Sequence, residues 1–112
     1  WTKLIGSSTA DAGWGVSAGN EENIYIIGST LGDLDGETNN SEGESNDAFI
    51  SKFSADGEKQ WTRLIGSSED DDAWAITTGP DGSIYIAGET RGDLDGQTNS
   101  SSSNNRICVN KS

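Results

Sequence analysis

Two acidic loops of nearly the same sequence carry the residues best suited to hold a metal ion. They read GDLDGETN at 32–39 and GDLDGQTN at 92–99, with side-chain oxygens on alternate residues. Carboxylate and amide oxygens in such loops are the ligands that Ca²⁺ takes in proteins. The sequence therefore predicts a calcium site with these candidate ligands: Asp33, Asp35, Glu37, Asn39, Asp93, Asp95 and Asn99.

The first loop has the spacing of an EF-hand calcium loop but not its glycine. Together with Ser41 and Glu44 its oxygens fall at the EF-hand positions, yet Gly36 is the fourth loop residue instead of the sixth. In the second loop, Gln97 and Asn104 stand where acidic ligands would help. The alternative is a polar connector in which Asp-Gly forms a tight turn.

Tryptophans recur at equivalent positions, Trp14 with Trp74 and Trp1 with Trp61. Aromatic rings beside polar loops can stack on sugars, so Trp14 and Trp74 are candidate ligand-binding residues. The alternative is packing, since large rings dominate the buried area of cores and interfaces. For Trp1 and Trp61 we expect packing.

A further acidic group, Asp70 to Asp72, precedes a predicted strand. Paired acids can hydrolyse glycosides, but the equivalent position 60 residues earlier keeps only Asp11. We expect Asp11 and Asp71 to accept hydrogen bonds from nearby backbone amides at a turn. Because catalysis needs one distinct constellation and the main features here are duplicated, the sequence predicts no enzyme.

Composition excludes several classes of partner and site. The net charge is −12, so nucleic acid is a poor partner because few cations face its phosphates. The chain has no His, the commonest general base, and its single Cys108 cannot form a disulfide within the chain. No apolar stretch approaches the length of a membrane span, so we expect no membrane insertion.

The sequence repeats itself with a period of 60 residues. When 1–39 is placed on 61–99 without a gap, 22 positions are identical, and beyond them the identity falls away abruptly. A period of this size indicates a solenoid, a propeller or a tandem array. Repeat 1 covers about 1–60 and repeat 2 about 61–112.

Each period contains four strand signals and no helical period. The stretches 47–54, 59–67, 73–79 and 84–90 are rich in strand-forming residues, and the turn sequences ADGE and PDGS separate two of the pairs. Four short antiparallel strands with glycine-rich turns are typical of one β-propeller blade. The predicted fold is therefore all-β, with four-stranded antiparallel blades.

Residues 47–90 closely resemble the SBBP repeat, a β-propeller repeat of bacterial secreted and surface proteins. The stretch reads DAFISKFSADGEKQWTRLIGSSEDDDAWAITTGPDGSIYIAGET. The matching pieces are Asp47-Ala48-Phe49 with Lys52, Asp56-Gly57, Trp61 with Gly66, Asp71-Asp72, Asp81-Gly82, and Tyr85 with Gly88 and Thr90. The resemblance implies a propeller of several blades, a secreted or cell-surface location and no assigned catalytic residues.

Labelled A to D from the propeller axis outwards, the predicted strands follow the chain in the order D-ABCD-ABC. The first D strand is 1–7, and the last C strand falls in the divergent tail 105–112, which reads NRICVNKS. A one-residue deletion aligns Lys111 with Lys52. The tail is either a divergent strand or a foreign end, and the role of Cys108 depends on which.

Two blades cannot close a ring, since propellers have about four to eight. The unpaired D strand and the incomplete last blade therefore predict a head-to-tail homo-oligomer, a trimer or tetramer whose ring has an even number of blades. The alternative is a segment excised from a longer chain that supplies the other blades.

The predicted function is that of a non-catalytic structural or interaction module from a larger secreted or surface bacterial protein. The alternatives are a lectin-like propeller that binds a glycan and an adhesion module stabilised by Ca²⁺. The sequence requires no cofactor, and Ca²⁺ is the one it suggests.

Overall fold

The computed structural model describes residues 1–39 and 45–99 and the backbone of 106–111. Apart from a 3₁₀ turn at Asn20–Glu22, the regular structure of this part of the chain is β-strand. The strands are β1 Asp11–Ala18, β2 Ile24–Thr30, β3 Asp47–Phe53, β4 Lys59–Ile65, β5 Asp71–Thr78, β6 Ile84–Thr90 and β7 Arg106–Lys111. The prediction of an all-β fold is confirmed.

Tight turns join the strands where the sequence places Asp-Gly. Ser54 N donates to Glu58 O at 2.9 Å across the β3–β4 turn, and Gly79 N donates to Ser83 O at 2.7 Å across the β5–β6 turn. Gly57 and Gly82 have φ of 82° and 85°, a backbone conformation that glycine adopts at little cost. The turn chemistry read from the sequence is therefore what ends these strands.

The strands form two antiparallel sheets that repeat one pattern. Blade 1 has the order β1-β2-β3-β4, and blade 2 has the order β5-β6-β7. Tyr25 pairs with Lys52 in blade 1, and Tyr85 pairs with Lys111 in blade 2. The tail is thus a divergent third strand in the register that the one-residue deletion predicts.

The first predicted strand differs from the structure. Residues 1–7 lie outside both sheets, although β4 forms over the equivalent sequence. A strand exists only through its hydrogen-bonded neighbour, and no strand among the described residues pairs with 1–7. The order observed within the described residues is therefore ABCD-ABC.

The hydrophobic core lies between the two blades. Tyr25, Ile27 and Ile50 of blade 1 pack in one buried cluster with Ile84 and Ile86 of blade 2. Both sheets thus bury one face against a neighbour, as propeller blades do. No helix in the described residues is long and apolar enough to cross a membrane.

Contacts between residues 60 positions apart show how the blades are related. The Thr78 hydroxyl donates to Ala18 O at 2.9 Å, and the Asn20 amide donates to Pro80 O at 3.4 Å. Two copies of a unit touch through equivalent residues only near the axis that relates them. The innermost strands β1 and β5 therefore lie next to the propeller axis.

Candidate functional site

The two Asp-Leu-Asp-Gly sequences form the same two-residue turn. In the first, Leu34 N donates to Glu37 O and Glu37 N donates back to Leu34 O, at 3.0 and 2.9 Å. Asp35 and Gly36 both have positive φ, 51° and 82°, as a type I′ turn requires. In the second, Asp95 and Gly96 have φ of 49° and 77°. We call these segments, 34–37 and 94–97, turn 1 and turn 2.

The first aspartate of each loop closes the loop on itself. Asn39 N donates to the Asp33 carboxylate at 2.9 Å, and Asn99 N donates to the Asp93 carboxylate at 2.7 Å. The Asn39 side chain donates in turn to Thr30 O, at the end of β2, at 3.0 Å. Asp33 and Asp93 thus have a structural role in shaping the loops.

The second aspartate reaches from turn 1 to the outermost strand of blade 1. The hydroxyl of Thr62 on β4 donates a hydrogen bond to the Asp35 carboxylate at 2.6 Å, and the Lys59 ammonium forms an ion pair with the same carboxylate. The Thr62 hydroxyl also lies 2.7 Å from that of Ser51 on β3. We call the contact of Asp35 with Thr62 and Lys59 the strand clasp.

The electrostatics of the strand clasp favour the ionised carboxylate. Partial burial raises the pKa of Asp35. Hydrogen bonds from Lys59 and Thr62 and the positive charge of Lys59 lower it by more than burial raises it, so the pKa lies below its ordinary value. A carboxylate held this way is charged at neutral pH and binds donors strongly. The clasp therefore fixes β4 to the rest of its sheet.

The predicted calcium ligands point to different partners. Asp33 faces the amide of Asn39, Asp35 faces β4, and Glu37 is exposed. Within 1–39 and 45–99, no three acidic or sulfur side chains group as metal ligands do. Ser41, Glu44 and Asn104 lie outside the described residues. Calcium binding stays a prediction.

Asp11 and Asp71 bind the turn that precedes each inner strand, as the sequence predicts. Ser7 N donates to Asp11 at 2.7 Å, and Ser67 N donates to Asp71 at 2.6 Å. Burial raises the pKa of Asp71, and hydrogen bonds from Ser67 and Thr90 offset only part of that rise. Asp11 accepts from the amide and hydroxyl of Ser7, and Asp71 accepts from the amide and hydroxyl of Ser67 and from the Thr90 hydroxyl, so each carboxylate anchors the entry to its blade.

Asp70 links the two blades. Its carboxylate accepts from Asn46 N at the start of β3 at 2.9 Å and lies 3.1 Å from the Arg91 guanidinium beyond β6. Asp71 N donates back to Asn46 O at 2.7 Å. Asp70 and Asp71 thus help to join blade 1 to blade 2.

Trp14 and Trp74 come together at the propeller axis. Their ring centroids lie 4.9 Å apart with an angle of 47° between the planes, and the side chains are 48% and 46% exposed. Each falls where the register of its strand shifts, between Gly13 and Gly15 and between Ala73 and Ala75. Such bulges re-aim a side chain, and here they turn two rings toward solvent.

This pair of rings suits either of two roles. Trp14 Nε1 donates to the Ser29 hydroxyl at 3.2 Å, which holds its ring. A fixed, half-exposed indole can stack on the apolar face of a sugar, and it can equally stack on the tryptophan of another blade. The geometry brings the two candidate ligand-binding residues into one site.

Trp61 packs against the core, as predicted, whereas Trp1 makes a ring contact but is 63% exposed. Trp61 lies against Tyr25, with ring centroids 6.2 Å apart, and the Arg63 guanidinium lies 4.7 Å from its ring centroid. Trp1 stacks on Phe53 at 6.2 Å and donates from Nε1 to Ala55 O at 2.9 Å. Both residues therefore attach an outer segment to a blade.

Sequence reasoning missed the partners of Asp35. Neither Thr62 nor Lys59 was a candidate, because neither belongs to a metal or catalytic motif. A signal was nevertheless present: the Thr after the tryptophan recurs as Thr2, in step with the recurrence of Asp35 as Asp95. A donor and an acceptor that repeat with the same period are candidates for a contact that also repeats.

Residues 60–95 match the family model of the SBBP β-propeller repeat. That match confirms the resemblance to this repeat for residues 60–95. Over 101 residues the chain is also 28% identical to the regulatory protein FlaEY of Caulobacter vibrioides. The alignment covers 86% of this chain and 11% of FlaEY, so the chain spans about a ninth of that relative.

Proposed function

We propose that this module is a non-catalytic structural and interaction unit that acts by stacking its blades with further blades in a ring. Its setting is a secreted or cell-surface bacterial protein. The observation that carries the proposal is the unequal burial of equivalent side chains. Tyr25 is 7% exposed, whereas its equivalent Tyr85 is 36% exposed.

On the opposite face of each blade the difference is reversed: the side chains of blade 2 are the more buried, and their equivalents in blade 1 are the more exposed. Ile86 is buried against blade 1 and Ile76 packs beside it, whereas their equivalents Ile26 and Val16 are only partly covered, with Val16 68% exposed. Blade 1 thus exposes the face that carries Val16, and blade 2 buries the equivalent face. Blade 2 exposes the face that carries Tyr85, and blade 1 buries the equivalent face. Exposed apolar faces of this sort mark interaction sites.

The two exposed faces complement each other because the interface between blade 1 and blade 2 already joins one of each kind. A second copy stacked on the first repeats that interface, and repetition of one head-to-tail contact closes a ring where the rotation permits. FlaEY supports the wider setting, since a match to 11% of its length fits a repeat module within a longer protein.

Light scattering of the purified chain and three variants tests this function. We expect Val16→Glu and Tyr85→Glu each to disrupt an oligomer, because each places a charge in a stacked face. Gln60→Glu adds the same charge at an exposed position on β4 and should leave the oligomer intact. Equal masses for all four proteins contradict stacking through these faces.

The Trp14–Trp74 pair supports a second candidate, a lectin-like function. We expect an oligosaccharide that stacks on these rings to change the tryptophan fluorescence. The change should vanish in Trp74→Ala and persist in Trp1→Ala, whose ring lies at Phe53 instead. A flat response across oligosaccharides of varied composition contradicts this candidate.

A further inference from the structure

The connector between the two blades, residues 66–70, contacts two buried carboxylates. Asp47 on β3 of blade 1 is 0% exposed, and Asp71 on β5 of blade 2 is 2% exposed. A Cβ on Gly66 would lie 2.2 Å from the carboxyl carbon of Asp47, so the connector approaches that carboxylate closely. The Asp71 carboxylate accepts from Ser67 N at 2.6 Å. Acidic groups from two different blades thus meet adjacent residues of one loop.

The two carboxylates carry like charges with almost no exposure to solvent. Adjacent residues have Cα atoms about 3.8 Å apart, so groups that contact Gly66 and Ser67 lie near each other. Burial raises the pKa of Asp71, and the negative charge of Asp47 raises it further, whereas hydrogen bonds from Ser67 and Thr90 lower it by less. Two carboxylates that share a buried site disfavour the ionisation of one of them. The ionised form of Asp71 is therefore unfavourable in the folded chain.

The other charged groups around Asp71 do not offset this effect. The Asp70 carboxylate accepts from Asn46 N at 2.9 Å and lies 3.1 Å from the Arg91 guanidinium, so this cation is engaged by a different acid. Among the described residues, Asp47 is the group whose charge acts on the pKa of Asp71. The other acids beside Asp71 in the sequence or in the strand pairing are Glu69, Asp72 and Glu89.

The Thr90 hydroxyl allows Asp71 to gain a proton without losing a hydrogen-bond partner. This hydroxyl donates to Asp71 Oδ1, and a second acceptor, Gly92 O, lies 3.1 Å from it. When Asp71 Oδ1 takes a proton from solvent, the new O–H can donate to Thr90 Oγ1 while the Thr90 hydroxyl turns to Gly92 O. Asp71 Oδ2 keeps its bond from Ser67 N. Both protonation states therefore fit the same backbone.

We propose that the Asp47–Asp71 carboxylate pair makes the junction between the two blades sensitive to pH, so that uptake of one proton by Asp71 tightens it. A carboxyl group that holds its proton more firmly in the closed junction than in an open, solvated one stabilises the closed form as pH falls. This contribution is complete below the unfolded pKa of about 3.9 and is lost as pH rises through the folded pKa. The junction lies within one chain, so the inference goes beyond the proposed stacking between copies.

Blade 1 supplies a matched reference for Asp71. Asp11 stands at the equivalent position and accepts from Ser7 N at 2.7 Å, yet it is exposed. A Cβ on Gly6, the equivalent of Gly66, would meet only Asp11 itself, at 3.1 Å. The described residues therefore place one carboxylate against this loop, where the junction between the blades has two.

Hydrogen exchange of the Asp71 amide measures opening of the junction. This amide donates to Asn46 O at 2.7 Å, across the two blades. Between about pH 4.5 and pH 7 its protection factor should fall as pH rises, by up to about tenfold for each unit by which the folded pKa exceeds the unfolded one. Asp71→Asn can donate to Thr90 and accept from Ser67 as the neutral acid does, so its protection should stay constant. Asp11→Asn should keep the response of the wild type.

Carbon NMR titration of the Asp71 carboxyl group tests the pair in the wild-type chain, without relying on a variant. Its midpoint should lie above the value of about 3.9 for an unperturbed aspartate. Asp47→Asn removes the like charge and should lower that midpoint and weaken the fall in protection. Asp56→Asn removes an exposed charge at the β3–β4 turn and should leave both unchanged.

The outcomes decide between a pH-sensitive junction and a general effect of net charge. A protection factor that falls in Asp71→Asn as steeply as in the wild type overturns the inference, and so does an Asp71 midpoint at or below about 3.9. A midpoint that Asp47→Asn leaves in place overturns the pairing of the two acids. Loss of the pH response in Asp71→Asn, together with a lowered midpoint in Asp47→Asn, supports the inference.

Discussion

At the scale of single residues, Asp35 shows how one carboxylate converts a loop into a structural tie. We expect Asp35→Asn to lower the free energy of unfolding by about 1 kcal/mol, since the group is partly exposed yet accepts a charge-assisted bond. Asp56→Asn, a matched change at an exposed β3–β4 turn position, should have little effect. Chemical denaturation at pH 7 measures both, and equal stabilities contradict the clasp.

The same residue predicts a pH dependence. The pKa of Asp35 is lowered in the folded state, so its contribution to stability is present above the unfolded pKa of about 3.9 and is lost as pH falls through the folded pKa. The stability difference between the wild type and Asp35→Asn should therefore shrink below about pH 4. A difference that is constant from pH 7 to pH 3 contradicts the assigned pKa direction.

Calcium binding is a separate prediction at this scale. If Ca²⁺ uses the first loop, calorimetric titration of the chain should show heat that disappears when Asp33 and Asp35 are both changed to Ala. Binding would have to compete with the bonds from Asn39 and Lys59 that the structure shows. No heat with millimolar Ca²⁺ would remove the prediction, and heat retained in the variant would relocate the site.

At the scale of elements, a glycine on the second strand of each blade, Gly28 or Gly88, lets the innermost strand come close beside the tryptophan bulge. A Cβ on Gly28 would lie 1.9 Å from Ala12 O and 2.9 Å from a Phe49 ring carbon, so Gly28→Ala should cost about 1–3 kcal/mol. Gly13, which pairs with Gly28, has room for a Cβ, since no atom lies within 4 Å of that position. The equivalent residue in blade 2 is Ala73, which pairs with Gly88. Gly13→Ala should therefore be tolerated.

Thermal unfolding and near-ultraviolet circular dichroism measure this difference. Gly28→Ala should also change the Trp14–Trp74 signal, because a displaced β1 carries Trp14 with it. A Gly28→Ala variant as stable as Gly13→Ala, with an unchanged aromatic spectrum, would contradict the assigned role of the glycine.

Most of the elements were predictable because both repeats state the same pattern. Alternating strand formers and Asp-Gly turns predict β2 to β6, and a one-residue deletion predicts β7 despite its divergent sequence. Residues 1–7 were misassigned because the same seven-residue pattern is a strand only beside a partner. The Trp14–Trp74 contact and the strand clasp depend on how blades and loops meet in space, which spacing along the chain does not reveal.

At the scale of the whole molecule, the net charge and the exposed apolar blade faces have opposite effects on the proposed association between copies. A net charge of −12 on 112 residues repels separate copies at low ionic strength, whereas in the proposed ring the apolar faces of Val16 and Tyr85 would draw them together. Salt screens the repulsion far more than it weakens apolar burial. Association of the chain should therefore tighten as salt rises.

The ring itself carries the last prediction. Each copy contributes two blades, so a closed ring has an even number, and three or four copies give six or eight blades, within the usual range of propellers. Light scattering should therefore give three or four chain masses. Deleting residues 1–8 should abolish assembly, because the deletion removes the predicted D strand and the contact of Trp1 with Phe53. The rest of the chain should then aggregate through its uncovered blade faces. A monodisperse monomer contradicts this model, and so does a truncated chain that still forms the same oligomer.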